Sequence, residues 1–372
     1  MRYEKPLWAL AILAFLAGLW GLFERVTGGH VNADYGSYIP WGLWVGAYTY
    51  LLGISAGLTL LAAVANVFNI QQLRGIVRLA LLAALATFVA GMFSIWLDLG
   101  RAESFWHLFV FTNFTSLMGW MSWLYVIYFL LLAAALWFLL RADQQRLRLV
   151  SGVIIPVVLA FAAGEGALFG VVGARPYWGG ALLPISFLAT GLLGGCALLS
   201  LVVALFAPEK DRPALANTLG KLTLGLLLLE IFIHAAEYGV NLYAAGPAEA
   251  ASTQLVLFGP FWWAFWIVFV GLGLLVPLAL LIARGQSVGA VGLAGGLIAA
   301  TGVVTKLNLI IPGLAVPELE GLATAYTGPG LTFYYAPTLS EWSLQVWIVS
   351  LALLIFLAGY KFLPSADKEV SR

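Results

Sequence analysis

Ten runs of mostly apolar residues, each long enough to form a helix that crosses a bilayer, dominate this 372-residue chain. They lie roughly at 6–25, 41–69, 77–98, 118–140, 149–173, 183–207, 217–245, 256–283, 288–312 and 340–363. A span needs about 20 such residues. Inside hydrocarbon every backbone N–H and C=O must find a partner within the protein, which makes helices of these runs. Only 9% of the residues are charged, against roughly 25% in a soluble chain. The expected fold class is therefore an all-α membrane protein with about ten transmembrane helices. The first run follows Arg2 and Lys5 as a signal peptide would. It is longer than a usual signal core, however, and Trp20, Leu22 and Phe23 stand where small cleavage-site residues belong. It reads as a retained span.

Orientation follows from the basic residues between spans. With the N-terminus inside, fourteen Lys and Arg fall in inside segments, among them Arg74, Arg78, Arg141, Arg146, Arg148, Lys210 and Arg212. Outside segments hold three: Arg25, Arg101 and Arg175. Both termini are thus expected in the cytoplasm of a prokaryotic inner membrane. The inside connections are short and basic. The outside ones, at 26–40, 99–117, 174–182, 246–255 and 313–339, are rich in Trp, Tyr, Phe, Pro and Gly. Connections of that length are usually functional or disordered, and their aromatic content argues against disorder. A partner or substrate is expected on that side.

The net charge of +1 gives no reason to expect a nucleic-acid partner. A single cysteine, Cys196, cannot supply the roughly four thiolates of an iron–sulfur cluster or a Cys-rich zinc site. Three histidines, His30, His107 and His234, offer no pair at matched depth for a b-type heme. No metal ligand set is expected, and redox centres other than heme or a diffusible cofactor must belong to a partner.

The middle of the chain reads as two four-helix units in parallel. Gly53-Ile54-Ser55-Ala56-Gly57 parallels Gly191-Leu192-Leu193-Gly194-Gly195, and Asp98-Leu99-Gly100 parallels Glu237-Tyr238-Gly239. Glycines four apart let helices approach closely. The expected organisation is a first span and outside loop at 1–40, a first four-helix bundle at 41–182, a second bundle with the long outside loop at 183–339, and a last span with a cytoplasmic tail at 340–372.

Ionisable residues inside a membrane are costly, and each is a functional hypothesis. Glu230, His234 and Glu237, at i, i+4 and i+7, share one helical face. Glu165 and Lys306 occupy comparable places in the two units. These five are candidates for proton transfer; a polar seam that fixes helix register is the alternative. At the outside boundary Tyr48 offers a hydroxyl donor close to where Asp98 and His107 also come, and a quinone carbonyl would need such a donor.

Several ordered motifs resemble the NrfD/PsrC family, the integral membrane subunits of polysulfide reductase-like complexes. They are Pro40-Trp41-Gly42-Leu43-Trp44, the Gly53–Gly57 motif, Leu97-Asp98-Leu99-Gly100-Arg101 with Phe105-Trp106-His107, Asn113-Phe114-Thr115-Ser116, and Pro337-Thr338-Leu339-Ser340-Glu341-Trp342. The resemblance covers about residues 40–345, and ten spans are closer to its longer members than to the eight-span polysulfide reductase subunit. It implies a quinone-binding subunit without heme, taking menaquinone or ubiquinone. Its implied partners are a four-cluster iron–sulfur subunit on the outside face and a molybdopterin or similar catalytic subunit. Tyr48, Asp98, Arg101 and His107 are the quinone-binding candidates. Where family members commonly carry proline after Arg101 and Asn113, this chain has Ala102 and Phe114, and Tyr48 stands where a histidine contacts the quinone. A secondary transporter or other ion-translocating protein is the alternative reading, because parallel repeats and buried charges also describe transporters.

Overall fold

The computed structural model describes residues 4–243, 246–319, 321–326 and 328–363. Three of the fourteen basic residues counted on the inside, Arg2, Lys368 and Arg372, lie outside the described residues. The ten long apolar helices are α1 (Glu4–Gly28), α2 (Leu43–Val67), α3 (Gln71–Asp98), α4 (Leu117–Leu140), α5 (Gln144–Gly170), α6 (Leu183–Phe206), α7 (Arg212–Tyr243), α8 (Ala264–Arg284), α9 (Val288–Ala315) and α10 (Leu339–Phe362). The chain is all-helical between its loops, as the apolar runs require.

Two spans differ from the sequence reading. The run expected at 256–283 is two elements: a helix at Pro247–Phe258, then α8 after the turn at Gly259-Pro260. The first part of α8, Ala264–Leu275, is π-helical. The run at 288–312 is broken: α9 consists of Val288–Thr301 and Val303–Ala315, interrupted at Gly302. Pro156, by contrast, sits inside α5 without ending it.

Packing follows the small residues. Helices α2, α3, α4 and α5 contact one another in cyclic order, and so do α6, α7, α8 and α9. Both α2 and α5 pack on α6, and the second part of α9 packs on α2. At the α2–α6 crossing the two repeated glycine motifs meet face to face. A Cβ on Gly57 would stand 2.1 Å from the carbonyl oxygen of Gly191, and one on Gly195 would stand 2.6 Å from the amide of Leu58. The motif thus brings backbones together, the usual reason for small residues between membrane helices. Helix α1 pairs with α10, which also packs on α3. There Gly18 and Gly21 lie against the backbone of Trp347 and Leu344, and the Gly21 amide donates to Ser343 Oγ at 3.1 Å.

The long connections gather on one face. There the proline-tryptophan motif that opens α2 meets the motif that opens α10. Gly42 leaves room for the ring of Tyr335, the Leu43 amide donates to Tyr335 Oη at 2.8 Å, and the Trp44 indole donates to the Glu341 carbonyl at 3.2 Å. Thr338 and Glu341 form a capping box on α10, which satisfies two of its orphan N-terminal donors. Two of the three arginines on this face serve helix C-termini. Arg25 Nε donates to the Leu97 carbonyl at 2.5 Å and Arg25 Nη2 to the Leu99 carbonyl at 2.6 Å, at the end of α3. Arg175 donates to the carbonyls of Gly313, Leu314 and Val316 at the end of α9, and pairs with Glu318 at 2.8 Å. Cations suit those positions because unpaired carbonyls give a helix C-terminus partial negative charge.

Candidate functional site

A cavity of about 620 Å³ lies among α2, α3, α4 and α5, beneath the 99–116 connection. Ligand pockets commonly span about 300–1,000 Å³ and are mostly apolar with a few placed polar groups. This one fits that description. Its walls include Trp41, Phe88, Met92, Met121, Phe129 and Phe169, and its polar groups are Tyr48, Thr49, Asp98, Ser122, Tyr125 and Glu165. Asp98 is the last residue of α3 and marks the level of the long-loop face. Tyr48, Tyr125 and Glu165 lie deeper, one to two turns inside their helices.

Tyr48 and Tyr125 hydrogen-bond each other through their hydroxyls. Glu165 is 1% exposed, and neither carboxyl oxygen has a hydrogen-bond partner in the protein. A buried carboxyl left without a partner is costly. A guest bearing a carbonyl or hydroxyl would supply what the walls do not.

Asp98 is held from outside the bundle. Tyr35, in the connection after α1, donates its hydroxyl to Asp98 Oδ1 at 2.9 Å. His30 packs on Tyr35 and on Trp44 with ring centroids 5.4 and 5.9 Å apart, and lies against the Asp98 backbone. Trp96 donates to the Ala102 carbonyl at 3.0 Å and Trp120 to the Phe114 carbonyl at 2.8 Å, fixing the connection over the cavity. Asn113 Oδ1 accepts from the Thr115 amide at 3.0 Å. This Asx-type turn shapes the stretch around Phe114.

Of the four quinone-binding candidates, the structure brings Tyr48 and Asp98 to the cavity wall. Arg101 and His107 are exposed on the connection above it, and neither is among the lining residues. His107 opens the short helix His107–Val110 and packs against Trp106 and Phe111. Glu165, assigned above to proton transfer, lines this same cavity. Tyr125 and Tyr35 escaped the sequence reading. Tyr125 sits among nine other aromatic or aliphatic residues that give no periodic polar signal between Trp120 and Leu130. For Tyr35 the only sequence signal is the clustering of His30, Tyr35 and Tyr38 in one connection.

A second polar cluster lies among α6, α7 and α9. His234 Nε2 and Glu230 Oε1 are 3.1 Å apart, and His234 Nδ1 and Glu237 Oε2 are 3.6 Å apart. Thr190 donates to Glu230 Oε1 at 2.9 Å. The Lys306 ammonium sits 3.4 Å from the centre of the Phe187 ring, a cation–π contact. Small voids of about 20 Å³ beside His234 and Lys306, and about 10 Å³ beside Glu230, adjoin the cluster. The irregular backbone is here: Phe269 of the π-helical stretch packs on His234 at 5.2 Å, and Gly302, at the break in α9, lies one turn before Lys306. The helix of α7 therefore presents Glu230, His234 and Glu237 together, as their spacing requires. Among the described residues, no group of three or more His, Cys, Asp and Glu could hold a metal ion. Cys196 is buried, 3.3 Å from Thr223 Oγ1.

Residues 31–318 match the family model described as polysulphide reductase, NrfD. The chain is 31% identical to a selenate reductase subunit of Mesobacillus selenatarsenatis, over 96% of this chain and 94% of that protein. It is 28% identical to an Hdr-like menaquinol oxidoreductase integral membrane subunit of Archaeoglobus fulgidus, over 87% of this chain and 84% of that one. With a polysulfide reductase chain of Wolinella succinogenes it shares 24% identity, over 71% of this protein and 87% of that one. With most of its length matched, the chain belongs to the NrfD polysulphide reductase family of membrane subunits.

Proposed function

We propose that this chain is the quinone-interacting membrane subunit of a multi-subunit oxidoreductase, passing electrons between the quinone pool and a partner iron–sulfur subunit. The observation that carries this reading is the cavity among α2–α5, with Tyr48, Tyr125 and Glu165 in its depth and Asp98 at its loop-side edge. Its apolar walls suit a hydrophobic ring and tail, and its hydroxyl and carboxyl groups suit the oxygens of a quinone. When bound, a quinone supplies two-electron, two-proton redox chemistry. The chain's own residues hold the ring oxygens, exclude water and exchange protons. Two of the similar proteins carry menaquinol or menaquinone in their names, which supports a naphthoquinone over ubiquinone.

The partner reading rests on the loops. The long-loop face lies over the cavity, and its connections are pinned by tryptophan N–H groups and capped helix ends into a firm platform. Arg101 and His107 stand exposed on it, available to a docked subunit or to the mouth of the site. We assign this face to the outside of a prokaryotic cytoplasmic membrane, with a four-cluster iron–sulfur subunit on it and a molybdopterin or similar catalytic subunit beyond, and both termini in the cytoplasm. The bias of Lys and Arg toward the short-loop face supports that orientation. Arg25 and Arg175 support it further, since both are committed to helix C-termini.

Asp98→Asn and Glu165→Gln, each in the assembled complex, test the reading. Proton transfer by a positioned side chain is worth about 10²–10⁴-fold, so quinol-linked turnover should fall by about 100-fold in at least one variant while the subunits still co-purify. Wild-type turnover in both would refute a quinone site in this cavity.

One observation favours a second activity in the same chain. The break in α9 and the π-helical stretch of α8 flank the cluster of Glu230, His234, Glu237 and Lys306. Discontinuous helices beside buried charges are a hallmark of ion-moving membrane proteins. Proton movement through this second cluster, with Glu165 as a further station, is the form that activity would take.

A further inference from the structure

The cavity lies within α2–α5, yet the group at its loop-side edge is held by residues from the connection after α1. Asp98 Oδ1 accepts from Tyr35 Oη at 2.9 Å. Behind Tyr35 lies the His30 ring, whose Nε2 is buried and has no hydrogen-bond partner. Trp44 closes the other side of the His30 ring, and Tyr335 packs on Tyr35 at 5.7 Å. The charged and titratable groups facing this cluster are Arg25 on α1, Glu341 on α10, and Tyr335 before it. An unpaired imidazole nitrogen packed against a tyrosine–carboxylate hydrogen bond is an arrangement that a purely structural cap of α3 does not need. Arg25 already caps that end.

We propose that Tyr35 and His30 form the proton-handling unit of the quinone site, Tyr35 as the positioning residue for Asp98 and His30 as the group that takes the proton onward. The proposal rests on the quinone reading of the cavity. In quinol oxidation the first ring O–H bond breaks as an O–H bond forms on the Asp98 carboxylate, that proton passes to His30, and the second ring O–H bond then breaks in the same way. The two electrons leave to the partner's iron–sulfur acceptor. The hydrogen bond from Tyr35 fixes the orientation of the Asp98 carboxyl at the edge of the cavity, leaving its other oxygen to the guest. His30 is placed for the next step because its Nε2 has no hydrogen-bond partner in the protein, while burial, and then the nearby Arg25 charge, hold its imidazole below the ordinary histidine range, so that a proton taken there is passed on. It is therefore neutral near pH 7 and has a free nitrogen to protonate. In the reverse direction the same groups deliver protons.

The test uses the complete complex with its partner subunits, reconstituted in lipid. Binding is followed by fluorescence quenching of heptyl-hydroxyquinoline N-oxide, a quinol analogue. Electron exchange between menadiol and the partner's clusters is followed by their bleaching, across a range of pH. Tyr35→Phe keeps the ring and loses the hydroxyl. It should bind the inhibitor within about twofold of wild type, while the pH profile of the rate is displaced from that of wild type by about one to two pH units, the size set by one lost hydrogen bond. His30→Ala should also bind the inhibitor, exchange electrons at least about tenfold more slowly, and regain rate when imidazole is added. A Tyr35→Phe profile that superimposes on wild type, or a His30→Ala rate at the wild-type level, overturns the proposal and leaves the quinone reading standing. Loss of inhibitor binding in the variants alone assigns Tyr35 and His30 a structural role and also overturns it. Failure of the inhibitor to bind the wild type removes the quinone reading itself.

Discussion

Tyr50 occupies the space that Gly302 leaves empty: a Cβ on Gly302 would stand 2.3 Å from Tyr50 Oη. That hydroxyl reaches the Ile298 carbonyl at 3.2 Å and the Ala299 carbonyl at 3.1 Å, groups at the break in α9. The discontinuity is thus built by two residues far apart in sequence, one supplying the gap and the other filling it. Gly302→Ala should expel the tyrosine and lower stability by about 1–3 kcal/mol, the usual cost of overpacking. Tyr50→Phe removes the hydrogen bonds and keeps the ring, and should cost about 1 kcal/mol. Thermal unfolding in detergent should rank wild type above Tyr50→Phe and Tyr50→Phe above Gly302→Ala; the reverse order for the two variants would contradict this account of the break.

Arg25 is buried, and its guanidinium serves two carbonyls at once. Lysine has no rigid fork and cannot reproduce that geometry. Arg25→Leu should cost about 1.5–3 kcal/mol, the range for hydrogen bonds to a charged group, with Arg25→Lys intermediate. Inhibitor quenching titrations should weaken in the same order, because the end of α3 carries Asp98. Equal stability of all three proteins would leave the cap without energetic weight.

The depressed proton affinity of His30 has a stability consequence of definite sign. Its folded-state value lies below that of the unfolded chain, so between the two the unfolded chain binds more protons. Stability then rises with pH in that window. On acidification the protein loses stability from about pH 6.5 downward, the ordinary imidazole value, until the folded-state value is passed. His30→Gln should flatten the dependence of melting temperature on pH in that range. An unchanged slope in the variant would place the acid sensitivity on other groups.

Proton movement through the second cluster predicts a separable phenotype. In vesicles holding the whole complex, Glu230→Gln and Lys306→Met should lower the protons moved per electron, while inhibitor binding in the α2–α5 cavity stays within about twofold of wild type. Unchanged stoichiometry in both variants would leave the cluster a packing role. The cluster is well placed for the test, since Glu230 and Lys306 are 1% and 4% exposed and neither lines the α2–α5 cavity.

The sequence carried the spans and the groups that ionise within them, because both are local properties. A twenty-residue apolar run folds as helix in hydrocarbon, although the interruptions at Gly259-Pro260 and Gly302 were not legible in two of the runs, and Glu230, His234 and Glu237 share a face by their spacing alone. What it concealed depends on contacts made across the chain. Gly302 is one of many glycines until Tyr50 comes to rest on it. Tyr125 carries no polar neighbours to mark it, and gains meaning only beside Tyr48. His107 looked equivalent to Asp98 from its position after α3, but the 99–116 connection turns it outward. The Gly53–Gly57 and Gly191–Gly195 motifs were legible as close-approach surfaces, and the structure shows that they approach each other.

The pairing of α1 with α10 joins two spans that lie at opposite ends of the described helices. Gly18 and Gly21 wait for Trp347 and Leu344, more than three hundred residues later. Until then α1 has lipid along most of its surface, since little of it is buried even in the finished fold. The connection after α1 carries Tyr35, Tyr335 stands just before α10 and Glu341 in its first turn, and these groups meet only when α10 arrives. Chains generally form local structure as they are synthesised and close distant contacts last. The wall behind Asp98 is therefore completed only once α10 has formed, so a chain inserted as far as α9 holds the cavity among α2–α5 with its Tyr35 side still unassembled.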